Sequence, residues 1–213
     1  MSHTAAPSPT PGVVFHDPLR MLNHFERRTA GTGGIRRIAK GWAPDGRFGV
    51  IIEGTLLPPL YREDGPVPPG RIRASNFNKL ILAKQGAGHL RAQYPSIDRY
   101  QMSHLWGPGF GDEAAAGMMW APIAMNLEFQ NMGIERFIRE RFVDSRSSGA
   151  QLRLRATAVA WDDPPNVTDF LRHAEYELTS TTPGGDYEKV RITIEVLPPG
   201  NPGVKSFHVE QIA

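Results

Sequence analysis

The 213-residue sequence contains no cysteine. A disulfide framework and a thiolate metal site are both excluded, so any metal would rest on His, Asn, Asp or Glu, a donor set that favours a hard ion such as magnesium. Long apolar runs are missing too: nothing approaches the roughly 20 residues that would cross a bilayer as a helix. The opening "MSHTAAPSPTPGVVFHD" lacks the basic and apolar segments of a signal peptide. Any export would use a route that needs no cleaved signal, such as delivery as cargo of a larger machine. A charge imbalance is also lacking. Against 24 Lys and Arg stand 22 Asp and Glu, a net of +2, which excludes a uniformly basic coat for nucleic acid and leaves room for a local patch.

What is present suits one sizeable domain, because a 40% apolar fraction can fill a core. Residues 1–13, rich in Ala, Ser, Thr and Pro, are expected to be a disordered leader, and residues 14–213 a single domain. "DPLRMLNHFERR" (Asp17 to Arg28) predicts a short helix with Pro18 at its first position. "GTGG" at 31–34 is a flexible joint, lacking the Lys and Ser or Thr of a phosphate loop. "RFGVIIEGTLLPPLY", "RIRASNF" and "KLILAKQ" predict strands. In "QLRLRATAVAW", Leu152, Leu154, Ala156 and Ala158 alternate with Arg153, Arg155, Thr157 and Val159, a half-buried strand. "AEYELTST" and "YEKVRITIEVL" form a hairpin about Gly184-Gly185, and a last strand lies near "VKSFHVE". The expected fold class is α+β: an antiparallel, strand-rich domain with a helical insertion that carries the candidate site.

That insertion is "SHLWGPGFGDEAAAGMMWAPIAMNLEFQNMGIERFIRE", Ser103 to Glu140. Glycines after His104 let the chain double back toward it, and a helix opens near Pro122 with Asn126 and Gln130 four apart on one face. An imidazole of ordinary pKa near ~6.5 suits proton removal at neutral pH. Asn126 with several waters could hold magnesium against a phosphate. Each residue also has a plainer reading. Asn126 suits a helix cap, Gln130 a bond to the loop above it, and Glu135 with Arg139 an ordinary ion pair four apart. Asp112 and Glu113 read as a helix cap ahead of a metal pair, and His89 as a strand-end histidine ahead of a second base. Trp106 and Trp120 suit packing. Six arginines, at 136, 139, 141, 146, 153 and 155, make the one local basic excess. Arg139, Arg153 and Arg155 are the candidates for phosphate contact, with Arg153 and Arg155 on one outward strand face.

His104, Asn126, Gln130 and Glu135 resemble the landmarks of the His-Me finger (ββα-metal) DNA/RNA endonucleases. "HLWGPGFGDEAAAGMMWAP...N...QN..IE.FIR" more closely resembles the C-terminal domains of bacterial polymorphic toxins (toxin type 4-like). The resemblance implies an antagonism toxin that hydrolyses phosphodiester bonds in DNA or RNA, with His104, Gln130 and Glu135 catalytic, Asn126 on magnesium, and a cognate immunity protein as partner. Met102 and Ser103 depart from the nuclease pattern, which has Arg-Gly there. At ~100° per residue, Glu135 falls about 180° around an unbroken α-helix from Asn126, so the two share a site only if the helix ends at Gly133 and restarts. A toxin with other hydrolase or transferase chemistry, and a non-enzymatic β-rich binding module, are the alternatives.

Overall fold

Alternating apolar and polar residues build one antiparallel sheet. The computed structural model describes residues 34–42, 47–58, 95–112, 114, 116–161 and 170–213. The expected leader, the helix at 17–28, the strands at "RIRASNF" and "KLILAKQ", His89 and Glu113 lie outside those residues. Six strands stand in the order β1 (Ile35–Trp42), β2 (Phe48–Thr55), β5 (Gln151–Ala160), β6 (Leu171–Thr181), β7 (Tyr187–Val196) and β8 (Val204–Gln211). Every neighbouring pair is antiparallel. Between β2 and β5 the chain leaves the sheet to form a two-stranded ribbon of β3 (Tyr100–Ser103) and β4 (Met119–Pro122). A π-helix, Met125–Glu135, follows and runs without interruption into α1, Arg136–Ser148.

The sheet has two different faces. Ile52, Ala156, Tyr176 and Ile192 are cross-strand neighbours on the inner face, all buried in the main core together with Trp106, Phe110, Met125, Ile134 and Ile138 of the insertion. One register step away, Arg37, Glu53, Arg155, Glu177, Arg191 and Glu210 form a cross-strand row of alternating charge, one residue per strand. Ion pairs run along it: Arg37 to Glu53 at 3.3 Å, Arg155 to Glu53 at 3.6 Å, Arg191 to Glu177 at 3.0 Å and Arg191 to Glu210 at 2.9 Å. Opposite charges directly across strands favour this register, each by a few tenths to about 1 kcal/mol. Burial alone would raise Glu177, but Arg191 and Lys189 hold its carboxyl below the usual range.

The helical part differs from the sequence expectation in one consequential way. No break occurs at Gly133; the π-winding carries through it. Burial on this helix follows the wider turn. Met125 and Ile134, nine residues apart, are both within 1% of complete burial, whereas an α-helix would put them on opposite sides. Leu127 and Met132, five apart, are both exposed, as bonding from i to i+5 dictates. An added Cβ at Gly133 would lie 3.3 Å from the Glu128 carbonyl oxygen, so glycine suits this close stacking. In α1, Ile138 is buried and Phe137 and Phe142 pack against the core. Trp106 and Trp120 are buried, as packing requires. Asp112 caps no helix: its Oδ2 accepts the Gly34 N–H at 2.5 Å and ties the glycine turn to the start of β1.

Candidate functional site

The loop after β3 is fastened to the sheet at several points. Phe110 accepts the Leu57 N–H at 3.2 Å through its carbonyl, and its ring stands edge-on to Tyr176 with centroids 6.2 Å apart. Gly111 turns the chain with φ of 100°, a conformation that a Cβ would strain. His104 is thereby held at the end of β3, over the inner face of the sheet.

Gln130 is the clamp of this arrangement. It is buried, its Oε1 accepts the Ser103 hydroxyl, and its Nε2 donates to the His104 carbonyl and, at 3.0 Å, to the Tyr176 hydroxyl. One amide thus joins the β3 end, the π-helix and β6. Sequence reading offered Gln130 as catalytic; in the structure its side chain bonds to Ser103, the His104 carbonyl and Tyr176. Tyr176 was not singled out from the sequence at all. The available signal was a tyrosine on the apolar face of a strand, whose hydroxyl needs a buried partner.

Five residues beyond Gln130, one π-turn along the same face, comes Glu135. Its carboxyl rests on the glycine turn. An added Cβ at Gly107 would lie 2.9 Å from Glu135 Oε1 and 3.6 Å from His104 Cβ, and one at Gly109 would lie 2.9 Å from Glu135 Oε2 and 3.8 Å from Arg139 Cδ. The Glu135 carboxyl, the Arg139 stem and the Cβ of His104 therefore lie against Gly107-Pro108-Gly109, and glycine makes the approach of the carboxyl possible. Glu135 reaches the glycine turn from the end of an unbroken π-helix, so no break at Gly133 is needed to bring it there.

Burial sets the charge states. His104 retains some exposed surface, but its Nε2 is enclosed without a hydrogen-bond partner, and burial pushes the imidazole down to about 4. Burial also pushes the Glu135 carboxyl up to about 7, with the positive charge of Arg139 acting against the rise. Tyr176 is raised by burial and by the charge of Glu135, while the Gln130 hydrogen bond works the other way. Burial therefore favours the neutral imidazole at His104 and keeps the proton on Glu135 to far higher pH than an ordinary carboxyl. Perturbed pairs of this kind cluster at functional sites.

The remaining sequence candidates are placed elsewhere. Arg153 and Arg155 point from β5 to the outer face, opposite to Tyr176, and Arg155 pairs with Glu53, so neither stands beside His104. Strand alternation put them outward correctly; the site lies on the other side of the sheet. Asn126 is half-buried in the first turn of the π-helix, and among the described residues no hydrogen bond ties it to His104 or Glu135. No three His, Asp or Glu side chains gather as a metal cage among the described residues. Asn126 offers one neutral oxygen and Glu135 one carboxyl turned onto the glycines, so a magnesium ion held here would take most of its ligands from water and phosphate. A surface depression lined by Arg141, Ser145 and Glu188 among others is formed by α1 and the sheet, and His104 is not part of it.

The insertion with its neighbouring strands, from β3 into the start of β7, carries every residue of this cluster. Residues 97–190 match the family model of bacterial toxin 4. Over that span the chain is similar to a polymorphic-toxin C-terminal domain, which supports a bacterial toxin. No curated protein and no solved structure matches the chain. The His-Me finger landmarks have no such support.

Three substitutions separate the cluster from its surroundings. Gly107→Ala has ordinary backbone angles, φ −94° and ψ 177°, so its effect falls on the Glu135 carboxyl. In whatever assay reads toxicity or cleavage, it is expected to lower activity at least ~10-fold, in keeping with the cost of small misplacements, with the far-ultraviolet circular dichroism unchanged. Arg139→Ala is expected to lower activity at least ~10-fold, as loss of a positioned cation does. Arg155→Ala, on the far face, should stay within about twofold of wild type. Equal losses for Arg139→Ala and Arg155→Ala would place the site on the wrong face.

Proposed function

We propose that this toxin domain cleaves phosphodiester bonds of nucleic acid, with His104 and Glu135 as its acid–base pair. The observation that carries the reading is that the Glu135 carboxyl and the His104 Cβ both lie against Gly107. The state that burial favours in each group gives the roles. The neutral imidazole of His104 takes the proton of the attacking hydroxyl, and the protonated carboxyl of Glu135 gives one to the leaving oxygen. Arg139, beside the same glycines, offsets the negative charge that grows on the phosphate. Gln130 orients His104 through its backbone carbonyl. A cognate immunity protein that covers this turn is the partner such a toxin needs.

The test mixes purified protein with plasmid DNA and with total RNA, in magnesium or in EDTA, beside His104→Ala, Glu135→Gln and Asn126→Ala. Cleavage lost in the first two variants and kept in EDTA and in Asn126→Ala supports the reading. Cleavage lost in EDTA and in Asn126→Ala returns the role to a metal held at Asn126. If wild type kills cells yet leaves both nucleic acids intact, the toxin uses other chemistry. If His104→Ala kills as well as wild type, the domain acts by binding.

A further inference from the structure

The sheet ends differently at its two edges. β1 carries the devices that keep an edge strand from pairing further: Lys40 stands on the inner face, the ladder slips between Ile35 and Arg37, and Arg36 and Arg37 are exposed. β8 has its one register shift at the start, beside Lys205; from Ser206 to Gln211 its ladder with β7 is regular and free of proline. Beyond β8 the sheet has no further strand among the described residues. The inner-face residues of β8 are apolar, with Phe207 opposite Ile194 and Val209 opposite Ile192, and the Phe207 ring lies 5.3 Å from that of Phe129 in the π-helix. Yet Phe207 is 38% and Val209 54% exposed, whereas Ile192 and Ile194 on the next strand are buried. The apolar face thus runs out to an unguarded edge, whose outward backbone groups offer hydrogen bonds to another strand.

The residues along this edge are complementary to themselves. Antiparallel pairing about a two-fold axis sets each residue opposite one of the same face in the other copy. With His208 opposite its own counterpart, Phe207 of each copy falls opposite Val209 of the other, which makes two apolar pairs, and Ser206 falls opposite Glu210, so no two carboxylates meet. Centring the axis on Phe207 or on Val209 leaves only one apolar pair. We propose that the occupant of this edge is a second copy of the chain, paired β8 to β8 about a two-fold axis at His208. Such a contact uses the same surface on both copies and closes on itself, so it yields a dimer and no filament. The axis stands normal to the sheet, which puts the inner faces and helical insertions of both copies on one side. The pairing draws on no chemistry at His104, so it stands or falls apart from the nuclease reading.

The experiment uses the whole chain. Sedimentation equilibrium over about 1–100 μM should show a species of twice the chain mass. Val209→Lys, an exposed position, removes both apolar pairs and should weaken association about tenfold. Because the chain has no cysteine, single cysteines read the register: residues directly opposite lie about 4.5–5.5 Å apart at Cα, within reach of a disulfide. Under mild oxidation His208→Cys should cross-link to a dimer. Ser206→Cys and Glu210→Cys should each stay single alone and cross-link when mixed. Monomer at every concentration, with no cross-link at position 208, overturns the pairing and leaves the edge to a different partner. Ser206→Cys alone cross-linking as fast as His208→Cys overturns the two-fold at His208. Association that continues past the dimer overturns the closed contact.

Discussion

Glu135→Gln is expected to abolish cleavage, by about 10²–10⁴-fold, while making the protein more stable at pH 8. The two effects share one cause. The Glu135 carboxyl is held against glycine backbone in a buried setting that raises it from 4.5 to about 7. A group raised in the folded state contributes stability that is complete below its unfolded pKa and is lost as pH rises through the folded one. The window here runs from about pH 4.5 to above 7. Above it, the buried carboxylate costs on the order of 3 kcal/mol, because each tenfold change in proton affinity between the folded and unfolded chain is worth about 1.4 kcal/mol. A neutral amide of the same shape carries no such cost. Urea denaturation should therefore show the variant about 2–3 kcal/mol more stable than wild type at pH 8, and within about 1 kcal/mol of it at pH 5. A variant less stable at pH 8 would mean that the carboxylate has a compensating partner in the fold and is no reserve of strain for catalysis.

The second large effect is expected at Gln130. Removing its amide in Gln130→Ala strands the Ser103 hydroxyl, the His104 carbonyl and the Tyr176 hydroxyl inside the fold. Each orphaned group costs about 1–3 kcal/mol, and a total near 3–5 kcal/mol is a large part of the stability of a domain this size. Tyr176→Phe removes one acceptor of a donor that keeps another, and should cost only about 1 kcal/mol. Urea midpoints for both variants check the ranking. A Gln130→Ala loss no larger than that of Tyr176→Phe would mean that Gln130 is no clamp and that His104 is positioned by the glycine loop alone.

Much of the sheet was legible because alternation is a strong constraint. Leu152 and Leu154 face the core and Arg153 and Arg155 face outward, and the hairpin between Thr181 and Tyr187 follows the "TPGGD" turn. β1 was missed because "IRRIAKGW" places Lys40 on the inner face, where it is buried, so the pattern of an edge strand does not alternate. β3 and β4 span four residues each, too few for a period to show. At the site, His104, Gln130 and Glu135 were legible as residues, but their phase was not. The 100° rule separates Asn126 from Glu135, and nothing in "MNLEFQNMGIE" announces a π-helix except in retrospect the five-residue spacing of Gln130 and Glu135. Nor can a sequence supply burial: His104 was credited with an ordinary pKa, whereas the enclosed imidazole sits near 4 and Glu135 takes over the titration near neutrality.

The mechanism stands most directly on the protonation states of that pair, and the pH dependence of kcat/KM on nucleic acid measures them. His104 is depressed by burial, and Glu135 is raised by burial against Arg139 of α1, with Tyr176 of β6 beside it. Activity should rise as His104 loses its proton, with a limb near pH 4, and fall as Glu135 loses its own, with a limb near pH 7. The residual activity of Glu135→Gln should lack the upper limb. A wild-type rate that climbs through pH 7 and onward to 9 would contradict the assignment of Glu135 as the acid, and with it the pair.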